Sequence, residues 1–270
     1  SGVTQINILV GTIIASFETS AVSYLYYAER IYQINLAIAG IAIGTVSLPI
    51  LSKAIAAKSI KKIHNIQNRS IELSLLFSLP ASLGLILASE EIVNALFGYG
   101  SFTQEDIGMT ASALKYFGYG IPAFAFIKIF SNFFFARSNT VLPFYVSLIV
   151  VLLNVAISLS LFPTVGFVII PISTSISTWI GVIFYAFLLQ KYRTINFEVK
   201  LFNNFFKILA SSILMALVLM YSLDYFTVNL DYSNKYKSIY LTFIVSFMAT
   251  IYLISCYLFG VLKTKNYKVN

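Results

Sequence analysis

The chain has little of what soluble chemistry needs. Among 270 residues there is one cysteine, Cys256, and one histidine, His64, and only 10% of residues are charged. A lone cysteine in an apolar run excludes an internal disulfide framework and any paired-cysteine metal site. The lone histidine lies in a stretch beside Lys61 and Lys62 that reads as a polar, solvated loop. No carboxylate cluster has metal-ligand spacing, and no nucleophile stands near a readable base, so neither a metal, a cofactor nor an enzyme active site is expected. The scarcity of charge excludes an ordinary soluble domain, where about a quarter of residues carry one.

What is present is apolar surface: 59% of residues are hydrophobic, and mean hydropathy is +0.85. Crossing about 30 Å of hydrocarbon takes roughly 20 mainly apolar residues. Such stretches run at 3–17, 20–51, 71–97, 108–136, 140–162, 165–190, 205–227 and 238–262. They are far longer than the roughly 10-residue strands of a membrane barrel, so an all-α, polytopic membrane bundle of about eight transmembrane helices is expected. Residues 1–190 read as a core lobe of six helices, and 191–270 as two further helices with a short basic tail. Ser1 to Gln5 show no basic region of a signal peptide, and the chain reads as a fragment beginning inside a longer protein.

The basic residues orient the bundle. Alternate connections collect thirteen of the 18, among them Lys53, Lys58, Lys61, Lys62, Arg69, Arg137, Lys191, Arg193, Lys200 and Lys207 and the tail lysines 263, 265 and 268. The opposite side has Lys235 and Lys237. The richer side is expected in the cytoplasm, and the loop Gly98–Asp106 outside, acidic and turn-forming. A net charge of +8 arranged in this way suits anionic lipid headgroups, not nucleic acid. The glycosylation-like Asn68-Arg69-Ser70 falls on the cytoplasmic side and reads as coincidence.

Arg30 is the most informative residue. Counted from Ser20, it lies about 15 Å along its helix, near mid-depth, where a charge is costly. Ser23, Tyr26, Tyr27, Arg30 and Gln33 or Ile34 follow helical i, i+3, i+4, i+7 spacing and predict one polar, aromatic face looking into a cavity. A guanidinium there suits phosphate or carboxylate. The alternative is that Arg30 pairs with a carboxylate and holds helices together, with Glu29 on another face. Lys115 and Lys128 are about 140° apart on one helix and do not form a patch; Lys128 either snorkels or adds charge to the cavity. Glu90 and Glu91 read as a solvated rim. Pro49, Pro80, Pro122 and Pro171 are expected to kink their helices, as a rocking transporter needs.

Several strings together carry a resemblance: Gly2-Val3-Thr4-Gln5-Ile6-Asn7, Tyr26-Tyr27-Ala28-Glu29-Arg30, Leu48-Pro49-Ile50-Leu51-Ser52, Leu96-Phe97-Gly98-Tyr99-Gly100-Ser101-Phe102, and Phe135-Ala136-Arg137 onward to Pro143. Over residues 1–190 the chain resembles the MurJ (MviN) lipid II flippases, within the multidrug/oligosaccharidyl-lipid/polysaccharide exporter superfamily; over 191–270 the likeness is only topological. The resemblance implies the C-terminal lobe of a fourteen-helix exporter in the bacterial cytoplasmic membrane, with the N-terminal lobe as its missing partner. It implies translocation of a lipid-linked peptidoglycan precursor by alternating access, with Arg30 and Ser23 matching cavity residues and the lipid tail in a groove that includes the last two helices. Some members help hold a sodium ion with acidic residues at the positions of Gly11 and Ser158; here neither is acidic, leaving Asn154 and Thr174 as a poor cation site. Competing readings are another exporter of the superfamily, a lipid-linked sugar flippase or a drug/cation antiporter, and a non-transporting scaffold. An integral glycosyltransferase would need a loop large enough to carry a catalytic base, and the chain has none.

Overall fold

The computed structural model describes residues 2–192 and 195–262. Arg193 and the basic tail with Lys263, Lys265 and Lys268 lie outside the described residues. The secondary structure of the described residues is helical, in the order α1 (Gly2–Ala15), α2 (Ala21–Leu36), a π-helical segment (Ala37–Ala42), α3 (Ile43–Ala56), α4 (Ile60–Leu87), α5 (Ser89–Phe97), α6 (Gln104–Phe135), α7 (Val141–Val165), α8 (Ile169–Lys191), α9 (Val199–Tyr225), α10 (Thr227–Leu230) and α11 (Lys237–Leu258). Among the described residues seven helices are long and apolar enough to span a membrane, α2 to α3 counting as one continuous 36-residue rod. The eighth expected segment, α1, has 14 helical residues and so reaches only about 21 Å.

Helix α6 is the hub, packed by α2, α4 and α8. Its small residues Ala111, Ala113, Gly118, Gly120, Ala123 and Ala125 are buried, letting neighbouring backbones approach, as in membrane bundles where apolar burial alone does not drive helices together. A close backbone approach lies at the π segment, where a Cβ on Gly40 would meet the Ala125 Cα at 3.2 Å. One turn on, Asn132 Nδ2 donates to the Gly44 carbonyl over 2.8 Å. The segment accommodates a wide helical turn within this contact.

Three sequence expectations are corrected by packing. The stretch 71–97 is not one helix, because the chain turns at Ala88 (φ −116°, ψ 25°) between α4 and α5. The polar stretch around His64 is helix, not loop, since α4 begins at Ile60. Pro171 does not kink a helix: it lies in the first turn of α8, where no backbone N–H is required. Pro49, Pro80 and Pro122 do lie inside helices.

The last two spanning helices are stitched to the core at both ends. At the basic end, Asn68 of α4 donates to the Asn196 carbonyl over 2.9 Å and accepts from the Glu198 N–H over 3.2 Å, fixing the entry to α9. At the other end, Asn94 donates to the Leu230 carbonyl over 2.8 Å and Tyr232 to the Phe102 carbonyl over 2.9 Å. Between them Lys237, 1% exposed, donates to the Gly98 and Tyr232 carbonyls over 2.6 and 2.8 Å. The rings of Tyr99 and Tyr232 lie 4.4 and 4.7 Å from its ammonium.

Candidate functional site

The site is built by the amphipathic split of α2. Ala21, Leu25, Ala28 and Tyr32 are buried, and Tyr32 stacks on Phe117 at a centroid distance of 5.0 Å with Phe124 at its edge. That packing turns the opposite side outward, so Ser23, Tyr26, Arg30 and Gln33 are all exposed along one stripe. Arg30 folds back over Tyr26: its Nη2 donates to the Tyr26 hydroxyl over 3.0 Å, and its Cζ lies 4.6 Å from the ring centroid. No carboxylate among the described residues forms an ion pair with it, and the neighbouring Glu29 is half-buried on another side. Stacking on an aromatic face stiffens the guanidinium without consuming its donors, of which it has five.

The structure separates two residues from this stripe. Tyr27 packs against Phe97 and Phe102 at 4.8 and 5.4 Å, joining α2 to the α5–α6 connection. It supports the helix from behind, because a 100° step along α2 carries its ring off the exposed face. Lys128 of α6 is exposed but stands against α3, with its Cγ 3.4 Å from where a Gly44 Cβ would sit. Gly44 follows Arg30 by fourteen residues, so this cation lies about 20 Å nearer the basic end. Arg30 and Lys128 thus mark two levels of the bundle.

The polar cluster between α7 and α8 does not suit a cation. Asn154 Oδ1 accepts from Ser158 over 3.4 Å and from Ser173, while Asn154 Nδ2 donates to Thr174 over 3.3 Å. The cluster has no anionic donor, and two hydroxyls already share the Asn154 oxygen, so the residues present do not fit a sodium ion. No group of three His, Cys, Asp or Glu among the described residues could hold a metal.

Two ionisable groups outside the spans feel burial. Glu91, in the first turn of α5, is half-buried, and desolvation pushes its carboxyl above the ordinary value, so it is less solvated than a rim residue. Arg137 is lowered by burial and donates to the Phe133 carbonyl over 2.7 Å. Lys237, one of the two basic residues that the sequence places on the cation-poor side, is a buried cation whose partners the sequence does not indicate. Of its tyrosine neighbours in sequence Tyr232 flanks the ammonium, while the other flanking ring, Tyr99, is remote in the chain.

Seven membrane-length helices among the described residues, packed on a hub helix, define the class as a multi-pass membrane helix bundle. Solved structures agree on the fold. An outward-facing multidrug resistance MATE transporter of the MOP superfamily superposes with a TM-score of 0.64 at 13% identity, covering 94% of this chain and 58% of that one. A structure described as "Lipid II flippase MurJ, inward closed conformation" superposes with a TM-score of 0.78 at 28% identity, covering 95% of this chain and 51% of that one. The sequence pattern of the family "Lipid II flippase MurJ" matches residues 1–242. "Probable lipid II flippase MurJ" of Rhizobium meliloti is 42% identical over 180 residues, covering 67% of this chain and 34% of that protein. Its namesake in Rickettsia prowazekii is 36% identical over 231 residues, covering 83% and 45%. The chain therefore belongs to the MurJ lipid II flippase family and is a multi-pass protein of the bacterial inner membrane. It spans between a third and a half of the length of these relatives.

Proposed function

We propose that the chain acts as the cationic C-terminal lobe of a lipid II flippase, and that its Arg30 stripe receives the diphosphate of the lipid-linked peptidoglycan precursor. The observation that carries this reading is the Arg30 guanidinium, exposed at mid-span, stacked on Tyr26 and paired with no carboxylate among the described residues. A structural arginine inside a membrane would be expected to find an internal acid; one presented to a cavity is completed by an anionic ligand. Family membership supplies the ligand class.

In this reading the diphosphate cannot cross hydrocarbon alone, and Arg30, Tyr26, Ser23 and Gln33 replace part of its hydration. Lys128, about 20 Å away towards the basic end, offers a second cationic level for the head as the lobe tilts. The N-terminal lobe closes the other side of the cavity, and relative motion of the lobes, with the proline-containing α3, α4 and α6, exposes it to one leaflet and then the other. The test is transport by the full-length protein. Arg30→Ala is expected to abolish flipping with membrane insertion intact, and Arg30→Lys to retain part of it, because an ammonium lacks the bidentate fork. Flipping by Arg30→Ala at the wild-type rate would sink the assignment.

A further inference from the structure

Three prolines lie well inside membrane-spanning helices, Pro49 in α3, Pro80 in α4 and Pro122 in α6. Each lacks the N–H that would bond the carbonyl four residues earlier, so the carbonyls of Thr45, Leu76 and Gly118 lose their helical donor. In hydrocarbon such a group needs another partner. Two of the three have one. The Tyr252 hydroxyl of α11 donates to the Leu76 carbonyl over 2.6 Å, and the Ser82 hydroxyl of α4 donates to the Gly118 carbonyl over 2.8 Å. Both donors are buried. Gly118 permits the second bond, since a Cβ there would meet Ile86 Cγ1 at 3.1 Å and hold α4 off. A proline whose orphan carbonyl is clasped by a neighbouring helix is a fixed joint, because bending it breaks a buried hydrogen bond. Pro163 lies in the last turn of α7, with no further helix beyond it to swing.

Helix α3 is built differently. Among the described residues no side chain donates to the Thr45 carbonyl, and the Thr45 hydroxyl turns back to the Ala42 carbonyl over 2.9 Å. Thr45, Val46, Pro49 and Ile50 are all exposed. Directly upstream lies the π-helical segment Ala37–Ala42, and π turns and prolines are both places where helices bend. Between them the Asn132 amide holds the Gly44 carbonyl to α6, and Gly40 and Gly44 present no side chain that would catch on α6. The rod thus has a loose joint on either side of a fixed contact.

We propose that the α2–α3 rod is the element of this lobe that changes shape, bending between Ala37 and Pro49 about the Asn132–Gly44 contact, while the clasped prolines keep α4 and α6 rigid. This narrows the motion to one of the three proline-containing helices. Pro49 is then a positioning residue for Arg30: it lets the arm carrying the guanidinium change its angle to the inner end of the rod, where α3 packs on α4. The link to transport rests on the function proposed above; the bending does not.

The test uses spin labels in the full-length protein in lipid nanodiscs, with native cysteines replaced by serine. One pair, Val22→Cys with Lys53→Cys, spans the rod; a control pair, Met109→Cys with Phe135→Cys, spans α6; all four positions are exposed. The rod pair is expected to show a broad or two-peaked distance distribution and the α6 pair a single narrow one. Pro49→Ala returns an N–H to the Thr45 carbonyl and places a better helix former there, so the variant should fold and its rod distribution collapse to one peak. It should slow flipping about tenfold, a barrier higher by about 1.4 kcal/mol, with binding of the lipid-linked precursor unchanged, while Pro122→Ala leaves the rate near wild type. A single narrow rod distribution in the wild type, an α6 pair as broad as the rod pair, or wild-type flipping by Pro49→Ala with narrowed distances would overturn the proposal. Wild-type flipping by Arg30→Ala beside slowed flipping by Pro49→Ala would sink the function proposed for Arg30 and support the bending rod.

Discussion

Two cations of this bundle each lie against a tyrosine, yet they are built for opposite ends. Lys237 is sealed: two carbonyls accept from its ammonium and two rings flank it. Arg30 is open: one hydrogen bond to Tyr26 of its own helix, one ring beneath it, and an exposed guanidinium. A buried charge contributes to stability only when its donors are satisfied internally. An exposed charge at mid-span leaves donors for something else. The contrast distinguishes a cation that joins loops from one that meets a ligand, and neither residue type nor tyrosine neighbours alone would have done so.

Substitutions should separate the two most sharply in transport. Arg30→Ala removes charge-assisted hydrogen bonds to the proposed diphosphate, each worth about 1.5–3 kcal/mol, so flipping should fall by a factor of about 100 or more. Thermal stability of the same variant should change by no more than about 0.5 kcal/mol, as for surface positions. Lys237→Met should do the reverse. It leaves the Gly98 and Tyr232 carbonyls without their donor, which at about 1–3 kcal/mol each predicts a loss of roughly 2–6 kcal/mol. Transport per folded molecule should remain near wild type. A Lys237→Met variant that melts like the wild type while failing to transport would reverse the roles assigned here.

A smaller effect is expected where the contrast is weaker. Asn68 links α4 to both the Asn196 carbonyl and the Glu198 N–H, and Asn68→Ala should cost about 1–2 kcal/mol. Local opening should appear first in the 195–201 segment as faster hydrogen exchange. Uniform loosening of the whole bundle would argue against a local clamp.

These residues also show what the sequence could and could not convey. The Arg30 stripe was legible because helical spacing and the cost of a mid-span charge are both local properties, and most of its members fall where periodicity puts them. Tyr27 was not, since its ring is claimed by Phe97 and Phe102 from a connection seventy residues away. The break at Ala88 was hidden because Ser89, Glu90 and Glu91, which open α5, read as a polar rim at the end of one long helix. The sealing of Lys237 was not legible, because its partners Gly98 and Tyr99 are remote in sequence and backbone carbonyls leave no mark in composition. The Asn68 sequon pattern likewise concealed a tertiary hydrogen-bond role.

The smallest expected effect concerns acid and the sealed cation's own loop. Asp231 accepts from the Ser233 N–H over 2.9 Å and from its hydroxyl over 2.6 Å. These bonds, with Lys237 attracting the carboxylate, hold its pKa below the ordinary value. A carboxyl lowered in the folded state binds fewer protons there than in the unfolded chain, so its contribution is fully present above the unfolded value, near about 4. It is lost as pH falls through the lower folded value. The 231–237 turn should therefore keep constant hydrogen-exchange protection, corrected for intrinsic rates, from neutrality down to about pH 4 and lose some of it only below that. Asp231→Asn, which cannot titrate, should lack the acid step while Arg30 and its stripe exchange identically in both proteins. Because Asp231 is exposed, solvent screening keeps the step small; a step centred well above pH 4, or one shared by the α2 stripe, would show that acid acts on some other group.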